Sequence, residues 1–366
     1  MVSWLGRLVF LPMRRATGLA AAVLTLAVAS TSVGCSSGGT FSTGTSATGG
    51  EGTGQGAIRG SGLASALDLI PDMHDGNVMY TDWSMLGHRD HNDPSTASFT
   101  GSLVAIDPLL PQQRRELGIK SRDVRWELEV LWPGGAPLVV VGFAPRTDLS
   151  GLAGKLTRLG FHADGSSLFT GTRATLRRYA LFNMGIDARR HLLAESGNVT
   201  RLRSVLTAPA RPLATASAIV PLLALAAARL GQIATAAIEV GPAACVKLAG
   251  LLGPMANRAQ LARARQFFHG TFTAPQAEIT ALAGPARTTA LDALTFPDHR
   301  TAEANRAGRS AAVKVTTEMR FGSSTEVTVT RTAVTGRVLS FDMRALQPHD
   351  FPELVDYNDL GVDICP

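Results

Sequence analysis

Val124 to Phe143 reads VRWELEVLWPGGAPLVVVGF, and this stretch decides the fold class. From Val124 to Trp132 the residues alternate: Val124, Trp126, Leu128 and Val130 share one side, and Arg125, Glu127 and Glu129 the other. A period of two, apolar against polar, is the pattern of a half-exposed strand. Pro133-Gly134-Gly135-Ala136-Pro137 supplies a turn. Leu138 to Phe143 is apolar throughout, which predicts a central strand buried on both faces.

Working outward, Asp148 stands where a helix N-cap would, ahead of Leu149, Leu152, Leu156 and Leu159 at helical spacing, and Gly160 ends that helix. Upstream, residues 61–70 (SGLASALDLI) read as a helix broken by Pro71, and Val78 to Trp83 (VMYTDW) as a short strand. A similar order returns later. Ala290 to Phe296 reads as a strand, Pro297 follows, and Asp298 to Ala312 reads as a helix. Thr325 to Arg331 and Arg337 to Arg344 are two alternating strands with Gly336 between them. Each half thus holds strand, proline, helix and an antiparallel pair, which admits a duplicated unit.

Between the halves, Ala214 to Leu252 is rich in Ala and Leu. Its charge-free run, Pro212 to Ala228, has 17 residues and two prolines, short of the roughly 20 that cross a membrane. It predicts a buried helix, with membrane insertion as the lesser reading. The expected fold is α+β and two-lobed, antiparallel sheet packed with helices. Lobe 1 spans 63–210; lobe 2 spans 211–366, helix-rich and then α+β.

The N-terminus carries an address. Arg14 and Arg15 form a positive region, and Gly18 to Ala29 (GLAAAVLTLAVA) an apolar core of the length found in export signals. Ser32-Val33-Gly34-Cys35 resembles the lipobox of bacterial lipoproteins, in which the Cys is lipidated and becomes the new N-terminus. Gly34 and Cys35 match that pattern; Ser32 departs from it, because an aliphatic residue is usual there. Residues 1–34 are therefore expected to be a signal peptide, and 35–62 a Gly/Ser/Thr-rich linker anchored through lipid, palmitate included, on Cys35. An uncleaved membrane anchor is the rival reading. Translation from Met13 rather than Met1 would give a more typical signal, and the twin arginines leave Tat beside Sec as the export route.

Removing Cys35 leaves Cys245 and Cys365, an even number in an oxidising compartment, and they are expected to form a disulfide. Of the three cysteines none belongs to a Cys-only zinc site, which needs four.

The chain has 35 Lys and Arg, 29 Asp and Glu and a formal charge of +6. Loss of Arg7, Arg14 and Arg15 with the signal leaves 32 basic against 29 acidic groups, or +3. Four Lys stand against 31 Arg, and the arginines are scattered among acids rather than gathered in a stripe with aromatics, so no nucleic-acid partner is expected. A hydrophobic share of 45% excludes a wholly disordered chain.

The densest polar cluster is Asp82, His88, Arg89, Asp90, His91, Asn92 and Asp93, with His74 and Asp75 upstream. His88 and His91 with Asp82 or Asp90 have the chemistry of a divalent-metal site, but Asn92-Asp93-Pro94-Ser95 reads as a solvated turn and no third ligand is fixed by spacing. His88-Arg89-Asp90 spells the kinase tripeptide without its Asn, glycine loop or DFG. After residue 62 no G-x-S-x-G occurs, and no S-x-x-K, HExxH or Walker A sequence occurs anywhere in the chain. Trp83, Trp126 and Trp132 could line a groove and fit a core better.

VMYTDW, the Pro-Gly-Gly hairpin with the leucine helix after it (DLSGLAGKLTRLGF), and the lipobox together resemble actinobacterial envelope lipoproteins of unknown function. The resemblance covers about half of the chain and implies no catalytic residue and no cofactor. The expectation is a lipid-anchored protein on the outer face of the cytoplasmic membrane, non-enzymatic, binding an envelope protein or lipid. The alternative is an exported metal-assisted hydrolase built on His88 and His91.

Overall fold

A computed structural model describes residues 62–86, 116–175, 183–247, 269–284, 288–321, 327–345, 362, 364 and 365, all within one compact unit, Gly52–Pro366. The proposed signal peptide, Cys35, and His88, Asp90 and His91 lie outside the described residues.

The hairpin is present, with one change from the expected alternation: a register shift between Val124 and Trp126 turns Val124 away from Leu128 and Val130 and into the cluster with Val141 and Phe143. Strand β2 (Val124–Leu131) pairs antiparallel with β3 (Leu138–Phe143), Leu128 opposite Val140. Before it come helix α1 (Gly62–Leu67), strand β1 (Gly76–Asp82) and the short helix α2 (Trp83–Leu86). After it come helix α3 (Ser150–Arg158), strands β4 (Phe161–Asp164), β5 (Leu168–Gly171), β6 (Asn183–Asp187) and β7 (Leu192–Ser196), and helix α4 (Val199–Thr207). The remainder is helix α5 (Val220–Leu230), strands β8 (Ile233–Val240), β9 (Val246–Lys247), β10 (Ala277–Ala283) and β11 (Thr289–Thr295), helix α6 (His299–Phe321), and strands β12 (Val327–Thr335), β13 (Val338–Ala345) and β14 (Ile364–Cys365).

Twelve strands form one antiparallel sheet in the order β12-β13-β11-β10-β8-β1-β2-β3-β7-β6-β5-β4. Strands from 63–210 and from 211–366 meet at β1 and β8, where Val78 faces Ile238 and Thr81 faces Thr235. The fold is α+β, as the alternation implied, and the sheet is continuous through both halves.

Directly paired residues project from the same face of a sheet, and neighbours along a strand alternate. One face carries Val78, Tyr80, Leu128, Val130, Ile238 and Ile279, and the helices α1, α4 and α5 bury it through Leu63, Leu67, Leu202, Val205, Leu222 and Leu223. The other face is covered in two places. Leu152 and Leu156 of α3 pack on Val139, Val141, Phe169 and Leu193. Ala302 and Val313 of α6 pack on Leu294, Leu339, Phe341 and Met343.

Local chemistry explains most of the helix ends. Leu149 takes the N-cap place of α3, one residue past the expected Asp148, whose Oδ1 accepts from the N–H of Ser150 at 2.8 Å just ahead of the helix. That bond, formed with the serine side chain and backbone, holds the Asp148 carboxyl below its ordinary range. Asn198 caps α4, accepting from Thr200 N–H at 3.0 Å and Arg201 N–H at 3.4 Å. Asp298 Oδ1 accepts from Thr301 N–H at 2.7 Å at the start of α6.

Two expectations need correcting. The Ala-rich stretch 214–252 is not one buried helix: α5 ends at Gly231, whose φ of 68° is a left-handed value, and Ile233–Val240 then becomes the strand beside β1. That strand lies in the middle of a sheet with both faces filled, where alanine leaves room for neighbours above and below. No helix among the described residues is long and apolar enough to cross a membrane. The second correction concerns β2. Glu127 and Glu129, expected on a solvated face, are only 7% and 6% exposed.

Cys245 and Cys365 stand at disulfide distance, Cα to Cα 5.4 Å across 120 residues of sequence. β14 pairs parallel with β9 at this point, Ile364 opposite Val246. Arg309 of α6, fully buried, holds the same terminus: Nη1 donates to the carbonyl of Val362 and Nη2 to that of Thr273.

Candidate functional site

Between the apolar patch under α3 and the one under α6, the sheet presents a polar strip. β1 contributes Asn77, Met79 and Thr81 to it; across β2 their partners are Leu131, Glu129 and Glu127. Across β8 the partners are Glu239, Ala237 and Thr235. The rows continue to Glu278 and Thr280 on β10, Asp292 on β11, and Glu195 on β7, which lies two strands from Glu129 with Val139 between. Glu127, Glu129, Glu195, Glu278 and Asp292 are all buried, and Glu239 is half-buried. Carboxylates are rarely placed so deep unless paired or protonated.

Glu129 shows the cost most clearly. Burial alone pushes its carboxyl up to about 7, so near neutral pH the protonated and ionised forms are both populated. Directly beside it on the sheet are Met79 and Val139, neither of which can hydrogen-bond through a polar group. Thr81 and Thr235, opposite one another on β1 and β8, are 1% and 3% exposed, and neither hydroxyl has a hydrogen-bond partner among the described residues. Leaving a buried hydroxyl unpaired costs about 1–3 kcal/mol by protein mutational data.

Asp82, named as a candidate metal ligand, is spent on local structure. Its Oδ1 accepts from Ser84 N–H at 3.0 Å and from the Ser84 hydroxyl, opening α2, and the Tyr80 phenol donates to Oδ2 at 3.4 Å. Burial first, and then the charge of Asp82, push the Tyr80 phenol well above its ordinary range. Asp82 also projects from the face opposite the polar strip, since its register partner is Trp126. Asp75 Oδ1 accepts from Ala243 N–H at 3.2 Å, a tie between the start of β1 and the turn after β8. Among the described residues no three His, Cys, Asp or Glu side chains are grouped to hold a metal ion.

The tryptophans take structural places. Trp83 is buried, Trp126 packs against the core at 6.4 Å from the Tyr80 ring, and Trp132 lies under the guanidinium of Arg201 at 3.9 Å. Arg201 also donates to the carbonyl of Ala136, which pins the Pro-Gly-Gly turn to α4.

The strip does not stand out in the sequence, yet it leaves a signal there: acids next to apolar residues in five strands, as in ELE (127–129), AES (194–196), IEV (238–240), AEI (277–279) and LDA (291–293). Each looks like the exposed side of an alternating strand until both faces are seen to be filled. Compared with protein-family models, curated proteins and solved structures, the chain matches none.

Proposed function

We propose that this chain is a non-enzymatic, lipid-anchored binding protein of the bacterial envelope, akin to the actinobacterial lipoproteins that it resembles. In this reading the signal peptide is removed at Cys35, the linker 35–62 tethers the fold to the outer face of the cytoplasmic membrane, and the fold takes up a ligand. The cysteine pair supports the location, because disulfides persist in oxidising compartments. Binding is carried by one observation: the middle of a sheet face is lined with carboxylates and hydroxyls where a core would be apolar.

A duplicated unit gives that site its place. The order α1, β1, β2, β3, α3 is followed by β7 returning beside β3; the order α5, β8, β10, β11, α6 is followed by β13 returning beside β11. The two first strands, β1 and β8, pair at the middle of the sheet. Both halves place one helix, α3 or α6, on the same face and leave the strip between them.

Mass spectrometry tests the reading. The protein extracted from its own membrane should show a diacylglyceryl-modified Cys35 as its N-terminal residue, and a native mass that exceeds the denatured one by a small ligand. An unmodified N-terminus at Met1 or Met13 would overturn the anchor, and equal native and denatured masses would overturn the retained ligand.

A further inference from the structure

We propose that Thr81, Thr235 and Glu129 form a binding site for the ammonium or guanidinium group of a small organic cation. The inference rests on the ligand-binding reading above and names its ligand class.

Thr81 and Thr235 are direct cross-strand partners, so their side chains rise side by side from one face at the middle of the sheet. Both hydroxyls are buried and without a hydrogen-bond partner among the described residues. Glu127 faces Thr81 from the other side, and Glu129 follows two residues along β2 on the same face. The site offers hydrogen-bond acceptors: two hydroxyl oxygens and a carboxylate. A group that offers several N–H donors and one positive charge satisfies all three together, because hydroxyls accept and the ionised carboxylate gains both a hydrogen bond and a counter-charge. A neutral ligand would meet the hydroxyls and leave the carboxylate uncompensated.

No bond is made or broken; the step is binding. Glu129 gives up its proton to solvent as the cation enters.

The test is titration calorimetry of the full-length lipoprotein in detergent with putrescine and with agmatine, against sodium chloride at matched ionic strength. One or both should bind saturably. Thr81→Val and Thr235→Val, which keep side-chain shape, should each weaken binding about 5- to 10-fold, and Glu129→Gln at least about 10-fold. Unchanged far-UV circular dichroism would show that these variants keep the fold. Absence of saturable heat from both cations would overturn the proposal, as would wild-type affinity in all three variants. A native-mass ligand that carries no cationic group would overturn the cation assignment and leave the ligand-binding function intact.

Discussion

Arg309 Nη2 donates to the carbonyl of Thr273 at 2.7 Å from a side chain with no solvent exposure. One helical turn earlier, Asn305 Oδ1 accepts from the Thr273 N–H at 2.7 Å and from Arg309 Nε at 3.3 Å, so residue 273 is held through both of its backbone polar groups. The Phe272 and Phe296 rings lie 5.7 and 5.5 Å from the guanidinium carbon. Together with the Val362 carbonyl, this clamp joins α6, the approach to β10 and the C-terminus.

Arg309→Met should therefore cost about 3–5 kcal/mol, because it strands several buried acceptors that only a long cationic donor reaches. Urea denaturation followed by far-UV circular dichroism would measure it. A loss below about 1 kcal/mol would mean that the clamp is dispensable.

The cysteine pair closes 120 residues, and the chain-entropy model assigns such a loop about 4–5 kcal/mol, less where the unfolded chain keeps structure. Reductant should lower the wild-type thermal midpoint and leave that of Cys365→Ser unchanged. An equal response from both proteins would count against the bridge.

Glu129 gives the pH dependence a sign. Its folded-state value of about 7 lies above the ordinary 4.5, so between those values the folded chain keeps a proton that the unfolded chain has lost. Stability contributed by the neutral acid falls as the pH rises from about 4.5 to 7, by at most about 3 kcal/mol, and stays lower above that. Glu127 on the same strand and Glu195 two strands away face the same side. Glu129→Gln, in phosphate buffer free of organic cations, should be more stable than wild type at about pH 8 and equal to it near about pH 4.5. The difference in urea midpoint at the two pH values reads it directly.

Gly142 pairs with Trp126, and a Cβ at that position would run into the indole. Gly142→Ala should cost about 1–3 kcal/mol and shift tryptophan emission as Trp126 is displaced. Asn198→Ala, which removes the cap of α4, should cost about 1 kcal/mol in the same denaturation assay.

Much of the framework is legible in the sequence itself. The hairpin Val124–Phe143 is a local matter: alternation, a Pro-Gly-Gly turn and β-branched residues agree, and no distant contact overrules them. The strand before Pro297, the helix after it and the two strands that follow obey the same logic, although α6 runs on to Phe321, past the expected Ala312. β4 to β7 are hard to see in the sequence because strands of four or five residues leave too short a pattern. β8 resembles a helix because alanine favours helix locally, and only its place between two filled faces makes an Ala-rich segment a strand.

Sequence alone determined the class of fold, because periodicity and turn chemistry act over short stretches of chain. It also placed Cys245 and Cys365 as the pair left after Cys35. Only the tertiary structure decided that Glu127 and Glu129 are buried, that Thr81 meets Thr235, and that Asp82 turns to the opposite face. Alternation sorts residues onto two sides of a strand. Which side faces water depends on what packs on the sheet from distant parts of the chain: α3 and α6 cover the apolar patches on either side, and the acids between those patches are buried as well.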